Sequence, residues 1–258
     1  MSKRTAGPGR VWITGGGTGI GRALALHMAR EGWQVVVSGR REEPLRETQQ
    51  LAKGANGRIE VFPADVTDLT GLRKTVLMIE SQLGPLDMAV LNAGTYAPER
   101  EKAFDVELFR EVIDVNFMGV VHGIDAVLPH FRERKSGQIV IVSSVAGYRG
   151  LPLSAAYGAS KAALINMAES LHLDLAADGI TVTLVNPGFV KTPLTDQNKF
   201  PMPFLMEAED AAQEMYTGIL SGRFEVTFPK ALAVPLKAMR LLPYALYFPV
   251  ARKATRKI

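Results

Sequence analysis

The chain of 258 residues contains no cysteine. That absence removes a disulfide framework, a thiolate nucleophile and any Cys-based metal site, and it fits a reducing compartment. Histidine is scarce. His27, His122, His130 and His172 are scattered with no HExxH or paired spacing, so no metal is expected. No run of eighteen apolar residues occurs, so no segment reads as built to span a bilayer, and residues 1–10 hold no apolar stretch of the signal-peptide kind. The net charge is only +4, with basic residues gathered in 2–10 and 252–257, which speaks of the chain ends rather than of a nucleic-acid groove. These absences lead to the expectation of a cytoplasmic protein with no nucleic-acid partner and a disordered 1–9 segment.

What is present is a strict alternation. Short, apolar, β-branched runs at 11–14, 34–38, 58–62, 88–91, 138–142 and 181–185 read as buried strands, with a weaker seventh at 225–228. Between them, 20–31, 43–53, 68–82, 108–134 and 155–177 carry apolar residues at helical spacing. Alternating strand and helix predicts an α/β fold: a Rossmann-type, doubly wound parallel sheet of about seven strands with helices on both faces. No linker or composition break divides the chain before about residue 193, so 10–229 is expected to form one domain with a substrate lid at 194–222, followed by an apolar, basic helical tail at 230–258.

After the first strand comes Thr14-Gly-Gly-Gly-Thr-Gly-Ile-Gly21, leading into a helix. Glycines there let the backbone turn tightly against a pyrophosphate, and free N–H groups at the helix start attract the anion. The GxGxxG spacing fails because residue 22 is Arg, and no Gly-Lys-Ser/Thr of a P-loop follows; TGxxxGxG does match. An NAD site wants a carboxylate at the end of the second strand. Here Arg40 and Arg41 stand there and no carboxylate occurs until Glu42, so NADP(H) is expected in preference to NAD(H), its 2′-phosphate met by the two guanidinium groups.

Tyr157 and Lys161 lie four residues apart, with Ser144 upstream. On one helix, residues at that spacing project from successive turns of one face. An ammonium roughly 5 Å from the phenol, at an effective dielectric of about 20, would favour the phenolate by about 3 kcal/mol and bring it toward working pH.

With TGxxxGxG, Asn92-Ala-Gly94, Asn116, Ser144, Tyr157, Lys161 and Pro187-Gly188 in order, the chain resembles the short-chain dehydrogenase/reductase family in its compact form, over roughly residues 9–193. The resemblance implies that Gly15, Thr18, Gly19, Ile20 and Gly21 line the pyrophosphate. It puts Asp65 and Val66 beside the adenine, and Asn92, Ala93 and Gly94 under the cofactor. It implies that Tyr157 is the proton donor, that Lys161 binds the nicotinamide ribose and lowers the tyrosine pKa, and that Ser144 rather than Ser143 meets the substrate oxygen. Asn116 would hold a water linking the lysine to solvent. Pro187, Gly188, Val190 and Thr192 would contact the nicotinamide side.

The resemblance does not name the substrate. Three variable segments should shape its pocket: 96–102, 145–154 and the stretch after Thr192. Phe, Met and Leu residues in 199–206 favour an apolar carbonyl or alcohol, or else cap the core under the lid. The tail reads either as an interfacial anchor on anionic lipid, giving a peripheral membrane contact, or as an arm packed on the protein or on a partner subunit. A homodimer or homotetramer is expected. The function expected is NADPH-dependent hydride transfer between nicotinamide and a lipophilic carbonyl or secondary alcohol. The alternatives are a 3-oxoacyl thioester reductase of fatty-acid type and a non-catalytic NADPH-binding scaffold.

Overall fold

The computed structural model describes residues 8–96, 104–198 and 200–254. Expectations about residues 1–7, most of the 96–102 loop, Lys199 and the last basic residues therefore lie outside the described part. Seven strands form one sheet, all parallel: β1 (Arg10–Thr14), β2 (Gln34–Ser38), β3 (Arg58–Val61), β4 (Met88–Leu91), β5 (Gly137–Val142), β6 (Ile180–Pro187) and β7 (Glu225–Phe228). Their spatial order is β3-β2-β1-β4-β5-β6-β7, the doubly wound arrangement that the alternation predicts. The helices are α1 (Gly19–Arg30), α2 (Glu42–Leu51), α3 (Leu69–Leu83), α4 (Val106–Ile113), α5 (Gly119–Arg134), α6 (Ala155–Asp174), α7 (Ala208–Leu220), α8 (Lys230–Ala238) and α9 (Tyr244–Ala254).

The period of two in each strand divides the core. In β1, Val11 and Ile13 join α1 and α7 on one face, while Trp12 joins α3, α5 and α6 on the other. Trp12 is fully buried, and its indole N–H donates to Ser38 Oγ at 2.9 Å, so the largest core side chain keeps its donor satisfied. Burial on both faces is why these strands read as continuous apolar runs.

One expected helix is three pieces. The 108–134 segment is helical throughout, but a π turn at Asp114–Met118 separates α4 from α5. Periodicity cannot register one extra residue in a turn, which is why a single helix was expected. Val106–Arg134 has length and hydropathy enough to cross a membrane, yet α5 packs on α3 and α4 packs on α6, as a core helix does.

The strand order reverses between β1 and β4, and a crevice opens beyond the carboxyl ends of the strands at such a point. The glycine turn after β1, the Asn92–Gly94 segment after β4, the loop after β5 and the end of β6 all come together there.

Candidate active site

The glycine turn is built for close approach. Gly15 and Gly19 have φ of +69° and +55°, in the left-handed region that favours glycine. A Cβ on Gly21 would lie 2.3 Å from the Gly15 carbonyl oxygen, so α1 can start directly against the turn only with glycine there. Arg22, the residue that breaks the commoner spacing, braces the turn from outside: Nε donates to Gly17 O at 2.8 Å, and the guanidinium pairs with Glu47 at 2.7 Å. Thr14 ties the turn to the next segment by accepting from the backbone N–H groups of Asn92 (3.0 Å) and Ala93 (3.1 Å). Asn92 Nδ2 donates back to Thr14 O at 3.1 Å.

These elements enclose a cleft of about 320 Å³. Its walls include Gly15, Thr18, Gly19, Ile20, Gly21, Asn92, Ala93, Gly94, Ser144, Tyr157, Lys161, Pro187, Gly188, Val190 and Thr192. Arg40, Arg41, Asp65 and Val66 are not among its walls. Arg40 and Arg41 follow β2, are exposed, and form no ion pair among the described residues. Asp65 accepts from the Thr67 backbone N–H at 2.9 Å and from its hydroxyl, while buried Val66 packs toward Gly119 and accepts from His122 through its carbonyl. Asn116 is fully buried but stands behind the cleft rather than in its lining.

Tyr157 and Lys161 both sit in the first two turns of α6, as their spacing predicts, with Lys161 Nζ 5.6 Å from the Tyr157 ring centre. Ser144 stands two residues past the end of β5 and caps the 3-10 turn Val145–Gly147 by accepting from Ala146 N–H at 3.1 Å. It also hydrogen-bonds the Tyr157 hydroxyl. The neighbouring Ser143 hydroxyl donates to Lys161 O at 2.7 Å, so it is committed to holding α6. Asn116 projects from the π turn. It accepts from Thr95 N–H at 2.7 Å, and its Nδ2 donates to Thr95 O at 3.0 Å and Ser160 Oγ at 3.2 Å. A Cβ on Gly94 would come within 3.2 Å of Asn116 Oδ1 and 3.7 Å of Lys161 Nζ, so the glycine leaves room for both.

The electrostatics correct one expectation. Desolvation pushes the Tyr157 phenol up to about 12; the Ser144 hydrogen bond opposes this and Tyr96 adds to it. Lys161 is only 4% exposed, donates to Val142 O at 3.0 Å, and is itself pushed down to about 8 by burial. Spacing placed the ammonium correctly but could not foresee that burial acts on both groups. Within the chain alone, the phenol is held protonated rather than poised as phenolate.

A second cavity of about 390 Å³ meets the cleft at Ser144, Tyr157 and Gly188. Leu151, Phe189, Phe200, Leu232 and Leu236 line it, and no charged side chain does among the described residues. Tyr96 closes over Tyr157, their rings edge to face at 5.2 Å between centres. Of these residues, Phe189, Leu232 and Leu236 lie outside the segments expected to shape the pocket. Leu232 and Leu236 belong to α8, inside the segment expected to be an interfacial anchor or an arm packed on the protein or a partner subunit.

The family model described as short chain dehydrogenase matches residues 10–201. An oxidoreductase of Myxococcus xanthus is 43% identical over 253 residues, covering 98% of each chain. An oxidoreductase of Staphylococcus epidermidis is 34% identical over 200 residues, 78% of this chain and 86% of that one. Among solved structures, a short-chain type dehydrogenase/reductase from Mycobacterium marinum has a TM-score of 0.78 at 26% identity, covering 86% of this chain and 94% of its own. Levodione reductase, at 24% identity, has a TM-score of 0.80 over 87% of this chain and 97% of its own, a likeness of fold. The family match spans the glycine turn, the Tyr157–Lys161 helix and every strand but the last, and the chain accordingly belongs to the short-chain dehydrogenase family of oxidoreductases.

Proposed function

We propose that the protein is an NADP(H)-dependent reductase of neutral, lipophilic carbonyl compounds, able to run in reverse as an alcohol dehydrogenase. The observation that carries this is the junction of two unlike cavities at Tyr157 and Ser144: a glycine-walled cleft on one side and an uncharged, apolar one on the other.

The cleft suits a dinucleotide. Gly15, Thr18, Gly19, Ile20 and Gly21 would hold the pyrophosphate against free backbone N–H groups at the start of α1. Side chains at 15, 19 or 21 would fill that cradle. Asn92, Ala93 and Gly94 would lie under the ribose, Asp65 and Val66 near the adenine, and Pro187, Gly188, Val190 and Thr192 at the nicotinamide end. The exposed Arg40 and Arg41, which form no ion pair among the described residues, support a 2′-phosphate, since a guanidinium binds phosphate through paired charge-assisted hydrogen bonds. A bound nicotinamide dinucleotide supplies the hydride that goes to the carbonyl carbon.

The chain's own residues handle the oxygen. Reduction needs a protonated phenol, and burial holds Tyr157 in that form. Tyr157 Oη would give its proton to the carbonyl oxygen as charge develops there, while Ser144 Oγ donates a hydrogen bond to the same atom. Lys161 remains largely charged at neutral pH and would favour the phenolate left behind; Asn116 anchors Thr95 and Ser160 around it.

The carrier-linked 3-oxoacyl alternative needs free basic residues for an acidic carrier protein. Of the three basic residues that would serve it, Arg132 is paired with Asp178 at 2.8 Å and Arg134 with Glu80 at 3.0 Å, which leaves exposed Lys135 alone without an ion pair among the described residues and weighs against it. The intact Tyr157, Lys161 and Ser144 cluster weighs against a non-catalytic scaffold. A peripheral contact with an anionic membrane draws support from exposed Leu241, Leu246 and Phe248 beside Arg252 and Lys253. Sedimentation with phosphatidylglycerol vesicles tests that contact, and light scattering distinguishes a homodimer from a homotetramer.

The deciding experiment follows NADPH oxidation across ketones, aldehydes and 3-oxoacyl thioesters of graded length, with NADH and Tyr157→Phe as controls. The expected result is turnover that grows with apolar chain length, prefers NADPH, and falls by at least about a thousandfold in the variant. Binding of NADPH with no turnover of any compound would revive the scaffold alternative.

A further inference from the structure

The family match ends at residue 201, whereas the Myxococcus xanthus relative covers 98% of this chain and so reaches into its C-terminal part. That part, α8 and α9, is fastened to the catalytic side of the molecule by a set of contacts that centre on one carboxylate. Glu225 opens β7, and its side chain is only 18% exposed. Its Oε1 accepts from the Tyr148 hydroxyl at 2.7 Å and from Asn186 Nδ2 at 2.9 Å. Its Oε2 accepts from Lys237 Nζ on α8. Tyr148 stands just past the 3-10 turn that Ser144 caps, and Asn186 directly precedes Pro187 and Gly188 in the cleft wall. A single carboxylate therefore ties together the Ser144 loop, the end of β6 and the C-terminal arm.

A second set of contacts repeats the link a turn further on. The Arg149 guanidinium lies between the rings of Tyr244 and Tyr247, 4.8 and 4.4 Å from their centres. It donates to Arg240 O at 2.8 Å and Leu242 O at 3.1 Å, carbonyls in the turn joining α8 to α9. The Tyr247 hydroxyl donates to Gly150 O, and Tyr247 and Ala251 of α9 are buried. Just ahead of Lys237, α8 presents Leu232 and Leu236 to the apolar cavity.

We propose that Glu225 is a positioning residue whose carboxylate fixes the C-terminal arm as the specificity-determining wall of the apolar cavity. The substrate class follows: compounds with an apolar extension long enough to leave Tyr157 and reach Leu232 and Leu236. The proposal rests on the carbonyl-reductase reading for its catalytic meaning, but not for its physical test. Glu225 touches neither cavity wall itself and acts through Lys237 and Tyr148. A rigid wall matters because contact with an extended apolar chain depends on the wall staying in place, whereas a short substrate at Tyr157 never meets it.

The experiment compares wild type, Glu225→Gln, Lys237→Ala and Lys237→Arg. Calorimetric titration with 1-dodecanol and 1-butanol reads the wall without turnover, and kinetics with 2-undecanone and 2-butanone read it with turnover. The ratio of long-chain to short-chain affinity is expected to fall about tenfold in Glu225→Gln and Lys237→Ala, the worth of contact on about two methylenes. The kinetic change is expected in KM for the long ketone rather than in kcat, and Lys237→Arg, which keeps the ion pair, is expected to restore the ratio. Hydrogen exchange should quicken together in residues 145–154 and 230–241 of Glu225→Gln while the sheet strands keep wild-type protection, which shows that the variant is folded. An unchanged chain-length ratio in that folded variant overturns the proposal. A wild type that binds dodecanol in this way but reduces no carbonyl compound refutes the reductase reading and leaves the wall standing.

Discussion

Lys161→Met is expected to make the protein more stable at neutral pH while abolishing catalysis. The wild-type ammonium is almost wholly buried and has the Val142 carbonyl, 3.0 Å away, as its hydrogen-bond acceptor. Burial moves its pKa from 10.5 down to about 8, which corresponds to about 3 kcal/mol of destabilisation whenever both folded and unfolded chains carry the charge. Methionine fills much the same volume without charge. It forfeits the bond to Val142 O, a loss of about 1 kcal/mol, leaving a net gain of about 2 kcal/mol at about pH 7. Because the folded pKa lies below the unfolded one, the unfolded wild type binds more protons between about pH 8 and 10.5, and wild-type stability rises with pH across that window. The gap between variant and wild type should therefore shrink by about 2 kcal/mol between about pH 7 and 9.5. Tyr157 has the opposite sign: its phenol keeps its proton up to about 12, so its contribution is lost only as pH rises from about 10, above the range compared. Reversible urea unfolding at the two pH values, followed by circular dichroism, gives both numbers. A variant less stable than wild type at pH 7, or a gap that ignores pH, would refute the account of Lys161 as a charge buried at a cost for its chemistry.

The other substitutions probe the cofactor side. Gly21→Ala puts a methyl 2.3 Å from Gly15 O and 2.6 Å from Asn92 Nδ2, so the turn must open; NADPH affinity by fluorescence titration should fall by about a hundredfold or more. An affinity within threefold of wild type would mean that the turn is not the pyrophosphate site. Arg40→Ala would remove the charge-assisted contact proposed for a 2′-phosphate, and the NADPH-to-NADH ratio of kcat/KM should drop about tenfold, more at low salt than at high. A ratio that does not move assigns Arg40 to solvent alone.

Much of this molecule is legible along the chain because the relevant physics is local. A doubly buried strand must be an apolar run, so the strand positions of the sheet could be read directly, to within a residue or so at most ends. The glycine turn needs positive φ at Gly15 and Gly19, and its place after β1 is enough to mark it. Tyr157 and Lys161 share a face of α6 because a helix brings every fourth residue round to the same side. The Asn116 environment was less legible: the residue was singled out by resemblance, but the π turn that aims it at Thr95 and Ser160 leaves no mark on apolar periodicity.

The sequence by itself thus determined the strands, most of the helices, the glycine turn and the grouping of Tyr157 with Lys161, all matters of neighbours along the chain. Only the tertiary structure decided how the cluster is tuned and what faces it. The pKa of Tyr157 and of Lys161 follows from burial, which no spacing encodes, and it reversed the expected direction for the phenol. Glu225 meets Tyr148 and Asn186, 77 and 39 residues away, because the sheet sets β6 beside β7 and so brings the loop after β5 within reach. A segment that reads as an interfacial anchor or a packed arm becomes a wall of the cavity for the same reason: its partners are chosen by the order of strands in space, and that order is not written in any one stretch of chain.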